Sequence, residues 1–407
     1  MPGGITVNDN THPDQIVLTL QEPHELAYGE NRCQSPAYIF STQSGDPLAL
    51  SEFEWVSGTP SYISMADGFQ IMDILRLLAE SLRRWKDDMP YIVIAGKHGN
   101  PCGAAIDFES PLTAINKALM GDTVAVMGGE IITNFSIDEK LAQVLFQPSD
   151  DINIGRKNWG LDLILAPSFS GEAVDLLGRR EKRRLLSNPA LETIPFSTER
   201  WVYRQIGSDW LCQKAPTFVL EENILLPWDG RSMSDANFQN ALIAFACCWR
   251  ASSNTVSLAR NNMLIGLGCG QQDRIACVRL ALDRANRAGH NAHGSFFASD
   301  AFFPYATSVP VWQGNDYTNL LLEITETRDA LESSGDYIAT IQRLADLAAR
   351  ISRADKREGP ELLIAAGCAG GVVPADGNKL EEVKSLFRSN GLSMAFLPPE
   401  FRGFAKH

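Results

Sequence analysis

Residues 91–103 read YIVIAGKHGNPCG, and this stretch decides the predicted fold. The apolar residues 91–94 have the length and the β-branched character of a buried strand. Lys97 and His98 follow, in a turn whose glycine and Asn–Pro dipeptide disfavour a regular helix. After the turn, the small residues from Gly103 onward indicate the start of a helix. Open α/β sheets place their chemistry at the carboxyl ends of strands, so the Lys–His pair marks a candidate active site.

The Lys97–His98 pair is suited to proton transfer. A fixed ammonium group beside an imidazole favours the neutral imidazole, which can accept a proton. Neighbouring side chains of a regular strand point to opposite faces, so the two groups converge only if the turn bends the backbone. For an arbitrary Lys–His dipeptide, a surface position without function would be the better interpretation. The surrounding glycines, asparagine, proline and cysteine favour the active-site interpretation here.

The composition is that of an ordinary soluble protein, and the length suits two domains with full cores. The chain has 407 residues, and its 49 acidic and 36 basic side chains give a net charge of −13, which disfavours nucleic-acid and anionic membrane partners. The N-terminus does not resemble a secretory signal, and the longest apolar runs, such as 241–249, are too short to cross a bilayer. Eight scattered cysteines indicate reduced thiols and a cytoplasmic location.

Hydrophobic periodicity and turn residues predict the remaining elements. Helices are predicted at 68–84, 112–119, 137–146, 172–177, 235–248, 271–288, 320–332, 337–351 and 381–389, and strands at 15–21, 123–127, 130–134, 161–167, 252–259, 263–270 and 392–397. The basic cluster RREKRR at 179–184 is interpreted as a solvated helix face.

The motif KHGNPCG closely resembles the KHxNPCG signature of the transformylase half of the bifunctional purine enzymes. Those enzymes formylate aminoimidazole carboxamide ribotide (AICAR) with 10-formyltetrahydrofolate and then close the ring to inosinate. Further similar segments are HELAYGENRCQ at 24–34, GTPSYISMAD at 58–67, LDLILAP at 161–167, FASDAFFPY at 297–305 and the tail FRGFAKH. The resemblance is interrupted for about fifty residues after 305.

The resemblance implies an α/β fold of two cytidine-deaminase-like subdomains and a homodimer whose active sites are shared between chains. The expected boundaries are a flexible N-terminus at 1–15, a first subdomain at 16–200, a linker at 201–234, and a second subdomain at 235–407 with a helical insert at about 306–359. Matching begins near residue 16, so we expect no cyclohydrolase domain before it. The co-substrate would be 10-formyltetrahydrofolate, the acceptor a small-molecule amine, and no metal is expected.

The resemblance also assigns site residues by position. His98 would remove the amine proton, Lys97 would stabilise charge on the formyl oxygen, and Asn254 would orient the formyl group or the substrate amide. The predicted catalytic residues are Lys97, His98 and Asn254; the substrate-binding residues are Tyr28, Asn100, Arg402 and Arg32; and the folate-binding residues are Asp162, Arg274, Phe302, Phe303 and Pro304.

Other patterns in the sequence could indicate different sites. The deaminase zinc pattern needs a glutamate and a second cysteine that are absent around His98 and Cys102, so we predict no zinc. His290 and His293 lie in a polar segment and are interpreted as a surface pair. The glycine run at 266–270 would by itself support a dinucleotide site almost equally, but the companion acid is missing.

Departures from the family pattern leave the acceptor open. The family loop LRYGENPHQ has an arginine and a histidine where this chain has Ala27 and Cys33, and Arg32 is a candidate replacement for the lost charge. The Arg–Asp pair after the Phe-Phe-Pro loop is also absent. The resemblance implies a stand-alone formyltransferase for AICAR or a related amine, and two alternatives to it remain: a formyltransferase for a different amino-heterocycle, or a catalytically silent protein that binds AICAR or folate.

Overall fold

The structure, a computed structural model, describes residues 17–86, 88–148, 155, 157–196, 201–215, 217–224, 234–303, 326–327, 338–339, 341–346, 357–398 and 401. Its strands and principal helices form a mixed α/β fold. In chain order they are β1 (Gln21–Leu26), β2 (Ala37–Ser41), β3 (Glu54–Ser57), α1 (Tyr62–Trp85), β4 (Tyr91–Lys97), β5 (Asn100–Asp107), α2 (Pro111–Met120), β6 (Glu130–Thr133), α3 (Glu139–Phe146), β7 (Leu163–Ala166), α4 (Gly171–Leu177), β8 (Arg184–Ser187), β9 (Trp201–Ile206), β10 (Asp209–Lys214), α5 (Asp235–Arg250), β11 (Val256–Arg260), β12 (Met263–Gly268), α6 (Arg274–Arg287), β13 (Phe296–Ser299), α7 (Gly359–Ala365), β14 (Gly370–Pro374), α8 (Leu380–Ser389) and β15 (Ser393–Leu397).

An eleven-stranded mixed sheet runs through the described part of the chain, in the order β15-β14-β13-β11-β12-β5-β4-β6-β7-β8-β3. In one half, β4 lies antiparallel to β5 and β6, and β6, β7 and β8 are parallel. In the other, β11 lies antiparallel to β12 and β13, and β13, β14 and β15 are parallel. Both halves thus repeat one succession of helices and strands, from α1 to β8 and from α5 to β15.

The two halves meet edge to edge at β5 and β12. Met263 pairs with Ala105 in antiparallel register. The backbone N–H of Ile106 donates to the carbonyl of Asn262 at 3.1 Å. The sheet therefore continues across the junction between the halves.

Helices cover both faces of the sheet. Helices α1 and α5 share one apolar cluster, and α2, α3, α4, α6, α7 and α8 contribute to a second cluster on the opposite face. Ser61 caps the N-terminus of α1, because its hydroxyl accepts a hydrogen bond from the Ser64 N–H at 3.2 Å. Ser234 caps α5 in the same way. Helix α1 starts at the edge of the sheet that carries the Lys–His turn, where Asp67 binds the His98 N–H. Helix α5 runs antiparallel to α1 and starts at the opposite edge, where Asp235 pairs with Lys86 just after α1.

Several expectations from the sequence are wrong. The helix predicted from Gly103 is strand β5, because the residues on both sides of the Lys–His turn pair as a hairpin, and that pairing overrides the helix preference of alanine. The strand predicted at 123–127 is a turn held by the Asp122 carboxylate, which accepts from the N–H groups of Val124 and Ala125. In the described part of the strand predicted at 15–21, residues 17–20 are irregular, and β1 runs from Gln21 to Leu26.

The basic cluster at 179–184 is not a solvated helix face. Arg183 is only 1% exposed, and Arg184 begins β8. The segment at 201–234, predicted as a linker, contains the hairpin β9–β10. The two helices predicted in the insert lie mostly outside the described residues; 326–327, 338–339 and 341–346 are helical.

None of the helices in the described ranges is both long enough and apolar enough to cross a membrane.

Candidate active site

The predicted polar residues gather along one edge of the sheet. Lys97 ends β4, Glu130 begins β6 opposite Gly96, and Asp162 precedes β7. From the other half, Asn254 lies just before β11 at the same edge. The two groups are joined by a hydrogen bond in which the Ser252 N–H donates to Oδ1 of Asn100 at 2.9 Å, so both halves of the sheet contribute to one site.

Three elements hold the Lys–His turn. Lys97 Nζ donates to the carbonyl of Met127 at 2.5 Å, and its side chain is half-buried. His98 has a positive φ of 52°, and its N–H donates to Oδ2 of Asp67 on α1 at 3.0 Å. Asn100 Nδ2 donates to the carbonyl of His98 at 3.1 Å. The backbone of the turn is therefore fixed, while the residue His98 is exposed to solvent.

The amide of Asn254 is fixed by two partners. Its Nδ2 donates to the carbonyl of Gln271 at 2.7 Å, and its Oδ1 accepts from Nη2 of Arg274 at 2.6 Å. Arg274 also forms an ion pair with Asp300, which is 1% exposed. Asp300 additionally accepts from the N–H of Thr255 at 3.0 Å. The predicted residues Asn254 and Arg274 thus act as one hydrogen-bonded unit.

A gap separates Lys97 from the predicted folate residue Asp162. Gly128, with a φ of +71°, lies between them, and a Cβ added there would be 3.7 Å from Oδ2 of Asp162 and 3.8 Å from Nζ of Lys97. Asp162 Oδ1 accepts from Nη2 of Arg180 at 2.7 Å. The glycine leaves the ammonium and the carboxylate facing the same open space.

Glu130 lies at the edge of the candidate site and is not among the residues predicted from the sequence. It is 4% exposed, and its Oε2 is buried with no hydrogen-bond partner among the described residues. Burial, and then the nearby carboxylates of Asp67 and Asp162, raise the pKa of Glu130 to about 9. The sequence feature that could have indicated it is a charged residue at the start of the apolar strand EIIT, directly after two glycines.

We expect Glu130→Gln to flatten the pH dependence of stability. The pKa of Glu130 is raised from 4.5 to about 9, so between these values the unfolded state binds fewer protons and stability falls as pH rises. An amide resembles the protonated carboxyl and removes this loss, so the variant should gain about 1–3 kcal/mol over the wild type between pH 5 and pH 8. Urea unfolding of both proteins at pH 5 and pH 8 measures this difference in the free energy of unfolding. Glu181→Gln, on the surface, is the control; superimposable profiles for Glu130→Gln and wild type would contradict the expectation.

The predicted substrate loop lies against the N-terminus of α1. The Tyr62 N–H donates to the carbonyl of Tyr28 at 2.9 Å. The Arg32 guanidinium lies over the Tyr28 ring, 5.8 Å from its centroid. With Cys33 and Tyr38, this loop lines a pocket of about 490 Å³. Helix α1 links the loop to the Lys–His turn.

The aromatic residues predicted at the folate site are in the core. Phe302 is 5% exposed and Phe303 1% exposed, and the Phe303 ring packs against Phe297 and Phe387, each with centroids 6.2 Å away. The structure therefore does not bring these rings to the open edge beside Lys97. Pro304 and Arg402 lie outside the described residues.

Two further acids in the site were not among the predicted residues. Asp67 is 5% exposed and holds the His98 N–H, and Asp300 holds Arg274. Both stand inside segments quoted for the family resemblance, SMAD and FASDAFFPY, so the motifs themselves contained the signal. Among the residues that the structure describes, no cluster of three or more His, Cys, Asp or Glu side chains is placed to hold a metal ion.

Comparison with known proteins agrees with the motifs. A family model described as the AICARFT/IMPCHase bienzyme matches residues 5–284. The chain is 28% identical over 303 residues to the bifunctional purine biosynthesis protein PurH of Anoxybacillus flavithermus, covering 74% of this chain and 53% of that protein. It is 29% identical over 301 residues to PurH of Halalkalibacterium halodurans, covering 73% and 53%. The chain spans about half the length of the curated relatives it matches.

Proposed function

The chain belongs to the AICARFT/IMPCHase bienzyme family, and from this membership and its site we propose that it is a folate-dependent formyltransferase. It moves the formyl group of 10-formyltetrahydrofolate to the aromatic amine of AICAR or of a closely related acceptor. The observation that carries the proposal is the contact between the Lys97–His98–Asn100 turn and the segment of Asn254, made by the Ser252 N–H on the Asn100 side chain.

The residues at this edge can assist each part of the transfer. The amine nitrogen forms a bond to the formyl carbon, its proton passes to the exposed imidazole of His98, and the bond from the formyl carbon to N10 breaks as N10 takes up a proton. General-base assistance of this kind contributes about 10²–10⁴-fold. The Lys97 ammonium, held at the Met127 carbonyl, stabilises negative charge on the formyl oxygen. The fixed amide of Asn254 orients the reacting group.

The folate-binding and substrate-binding assignments are supported to different degrees. Asp162 and Arg274 lie at the site edge with fixed partners, and we retain both for the folate. Tyr28 and Arg32 belong to the loop whose neighbouring residues Gly29 and Cys33 line the pocket, and we propose that this pocket receives the acceptor. Phe302 and Phe303 would support the folate site from beneath, since their rings are buried.

We further propose that each half of the sheet is a cytidine-deaminase-like subdomain. The support is the repeated succession helix, strand, strand, helix, strand, helix, strand, helix, strand, found from α1 to β8 and from α5 to β15. We also propose a cytoplasmic location, because all eight cysteines are free thiols and a reducing compartment keeps them so.

The decisive experiment measures the loss of 10-formyltetrahydrofolate by absorbance in the presence of AICAR. The same assay is run with the dephosphorylated riboside of AICAR and with smaller amino-heterocycles. AICAR with a micromolar KM would identify the acceptor and show that Arg32 compensates for Ala27. A higher kcat/KM for a phosphate-free amine would assign a different acceptor. No turnover with any amine, despite measurable folate binding, would identify a silent homologue and contradict the proposal.

We also propose that the protein is a homodimer. The hairpin β9–β10 lies outside the main sheet and exposes large apolar side chains, with Trp210 56% and Leu211 60% exposed. Apolar surface of this kind suits a permanent subunit interface, which typically buries about 2,000 Å² or more.

Sedimentation at micromolar concentration should show a species of twice the 44.7 kDa chain mass. Leu211→Glu should dissociate it, because a charge in an apolar interface must be desolvated without a partner. The control is Gln143→Glu, which adds the same charge at an exposed position on α3, outside the hairpin. A fully active wild-type monomer would contradict the homodimer.

A further inference from the structure

Glu130 is a buried acid at the candidate active site that takes no part in the proposed transfer. It is 4% exposed, and its Oε2 has no hydrogen-bond partner among the described residues. An ionised carboxyl group is rarely buried unless a cation or hydrogen-bond donors meet its oxygens. The position of Glu130 therefore needs an explanation from the groups around it.

The side chain of Glu130 lies beneath the first turns of α1. Glu130 stands opposite Gly96 in the antiparallel pairing of β4 and β6, and directly opposite residues of such a pair share one face of the sheet. A Cβ added at Gly96 would collide with the side chain of Ile71, so this face is the one that α1 covers. Ile132, two residues along β6 from Glu130, accordingly belongs to the apolar cluster of α1 and α5. Glu130 therefore lies between the sheet and α1.

Asp67 connects this buried position with the Lys–His turn. It lies one helical turn before Ile71, so both side chains lie on the face of α1 that covers the sheet. Asp67 is 5% exposed, and its Oδ2 accepts the hydrogen bond from the His98 N–H at 3.0 Å. That bond holds His98 at a positive φ of 52°, a conformation that residues other than glycine seldom adopt. The geometry of the turn therefore depends on a carboxylate that neighbours Glu130.

The elements around Glu130 bring two carboxylates, one ammonium and one thiol near it. Asp67 on α1 and Asp162 before β7 are the carboxylates, and Lys97 at the end of β4 is the cation. Burial, and then the two carboxylates, raise the pKa of Glu130 to about 9 against the opposing effect of Lys97. Burial also raises the pKa of the Cys102 thiol on β5, so that group stays neutral. At neutral pH, Glu130 is therefore an uncharged carboxyl group.

We propose that Glu130 is a positioning residue that acts through Asp67 on the Lys–His turn. The inference rests on the proposed function and adds to it an upper pH limit. While Glu130 is neutral, the Asp67 carboxylate keeps its place at the His98 N–H. When Glu130 loses its proton, two negative charges lie side by side in the protein interior, where like charges repel more strongly than in water. Asp67 then withdraws from the turn, and His98 loses the alignment that proton transfer requires.

The proposal predicts an alkaline fall in turnover that depends on Glu130. In the wild type, kcat for formyl transfer should fall about tenfold between pH 8 and pH 10, since the neutral fraction of a group with a pKa of about 9 falls by that factor. Glu130→Gln keeps a neutral polar group of similar size, so it should retain at least about half of the wild-type kcat at pH 7 and fall less than about threefold by pH 10.

Glu181→Gln, on the surface, is the control and should keep the wild-type profile. The remaining titratable groups are common to the three proteins, so the difference between their profiles isolates Glu130, and circular dichroism checks that each is folded at pH 10. Superimposable profiles for Glu130→Gln and wild type would overturn the inference. A loss of about 10²-fold in Glu130→Gln at every pH would also overturn it, because Glu130 would then be a proton donor in the reaction.

Asp67→Asn tests whether Glu130 acts through Asp67. Removal of the neighbouring negative charge makes ionisation of Glu130 easier, so the midpoint of the alkaline fall should move to lower pH by about half a unit or more. The midpoint is independent of the absolute rate, so it can be read even if the variant turns over slowly. An unchanged midpoint in Asp67→Asn would overturn the coupling between the two carboxyl groups.

A measurement without turnover separates this inference from the proposed function. His98 is one of six histidines, so its backbone amide can be followed by NMR in protein that carries isotope-labelled histidine, with the signal assigned by its loss in His98→Ala. The amide proton shift should titrate with a midpoint near pH 9 in the wild type and stay constant in Glu130→Gln. This result would support the inference even if no amine were formylated. A constant shift in the wild type would overturn it and leave the proposed function intact.

Discussion

Lys97→Ala and His98→Ala should each lose at least about 10²-fold in kcat for formyl transfer. His98→Ala removes the exposed imidazole that we propose takes the amine proton. Lys97→Ala removes the ammonium that faces the gap beside Gly128, and with it the charge proposed to stabilise the formyl oxygen. The backbone contacts of the turn, made by the His98 N–H and carbonyl, do not depend on either side chain, so both variants should fold.

Steady-state kinetics with saturating folate and acceptor measure this effect, and urea unfolding checks the fold. Lys140→Ala and His24→Ala, at exposed positions away from the sheet edge, are the matched controls and should retain wild-type kcat. Retention of more than about a tenth of the wild-type kcat by His98→Ala would reject its role as the general base, since such groups contribute about 10²-fold or more.

Arg274→Ala should lower the free energy of unfolding by about 3–5 kcal/mol, because it leaves the carboxylate of Asp300 in the interior without its cation. Asp300 is 1% exposed, and the Arg274 side chain is 10% exposed. The variant also releases Oδ1 of Asn254. Formyl transfer should therefore fall together with stability, since the amide that we propose orients the reacting group is no longer held.

The double variant Arg274→Ala/Asp300→Asn separates the two effects. An uncharged amide at 300 removes the buried charge, so stability should recover in part while activity stays low. Arg287→Ala, whose ion pair with Asp283 is exposed, should change stability by less than about 1 kcal/mol. If Arg274→Ala were no less stable than Arg287→Ala, the Arg274–Asp300 pair could not be the structural support of Asn254.

Local patterns in the sequence are sufficient to predict those helices and strands for which hydrophobic periodicity and turn residues agree. The apolar run before Lys97 gave β4, and the periodicities of 112–119 and 381–389 gave α2 and α8 within two residues at each end. The segment from Gly103 is predicted as a helix because its small residues suit a helix in isolation. It is a strand because tertiary contacts pair it with β4.

The candidate site likewise contains residues that local motifs predict and residues whose position depends on tertiary packing. Lys97, Asn100 and Asn254 lie in motifs, and the structure brings them to one edge. Glu130 is not among the predicted residues, and Arg183 is predicted on a solvated helix face, because a charged residue in the sequence is ordinarily assigned to the surface; only the packing around each shows that it is buried. Phe302 and Phe303 belong to a motif too, yet their burial depends on rings from β13 and α8 that are distant in sequence.

The packing of α1 against α5 has a consequence for how reactants enter. The Trp85 and Phe238 rings meet at 4.8 Å, and Arg250 of α5 forms an ion pair with Asp73 of α1. These contacts bridge the junction at which the sheet itself is also continuous, so swinging one half away from the other would break them. Closure of one half onto the other is therefore a costly way to exclude water. We expect admission of substrate and release of product to depend instead on movements of the loops at the sheet edge, and those loops would set the pace of turnover.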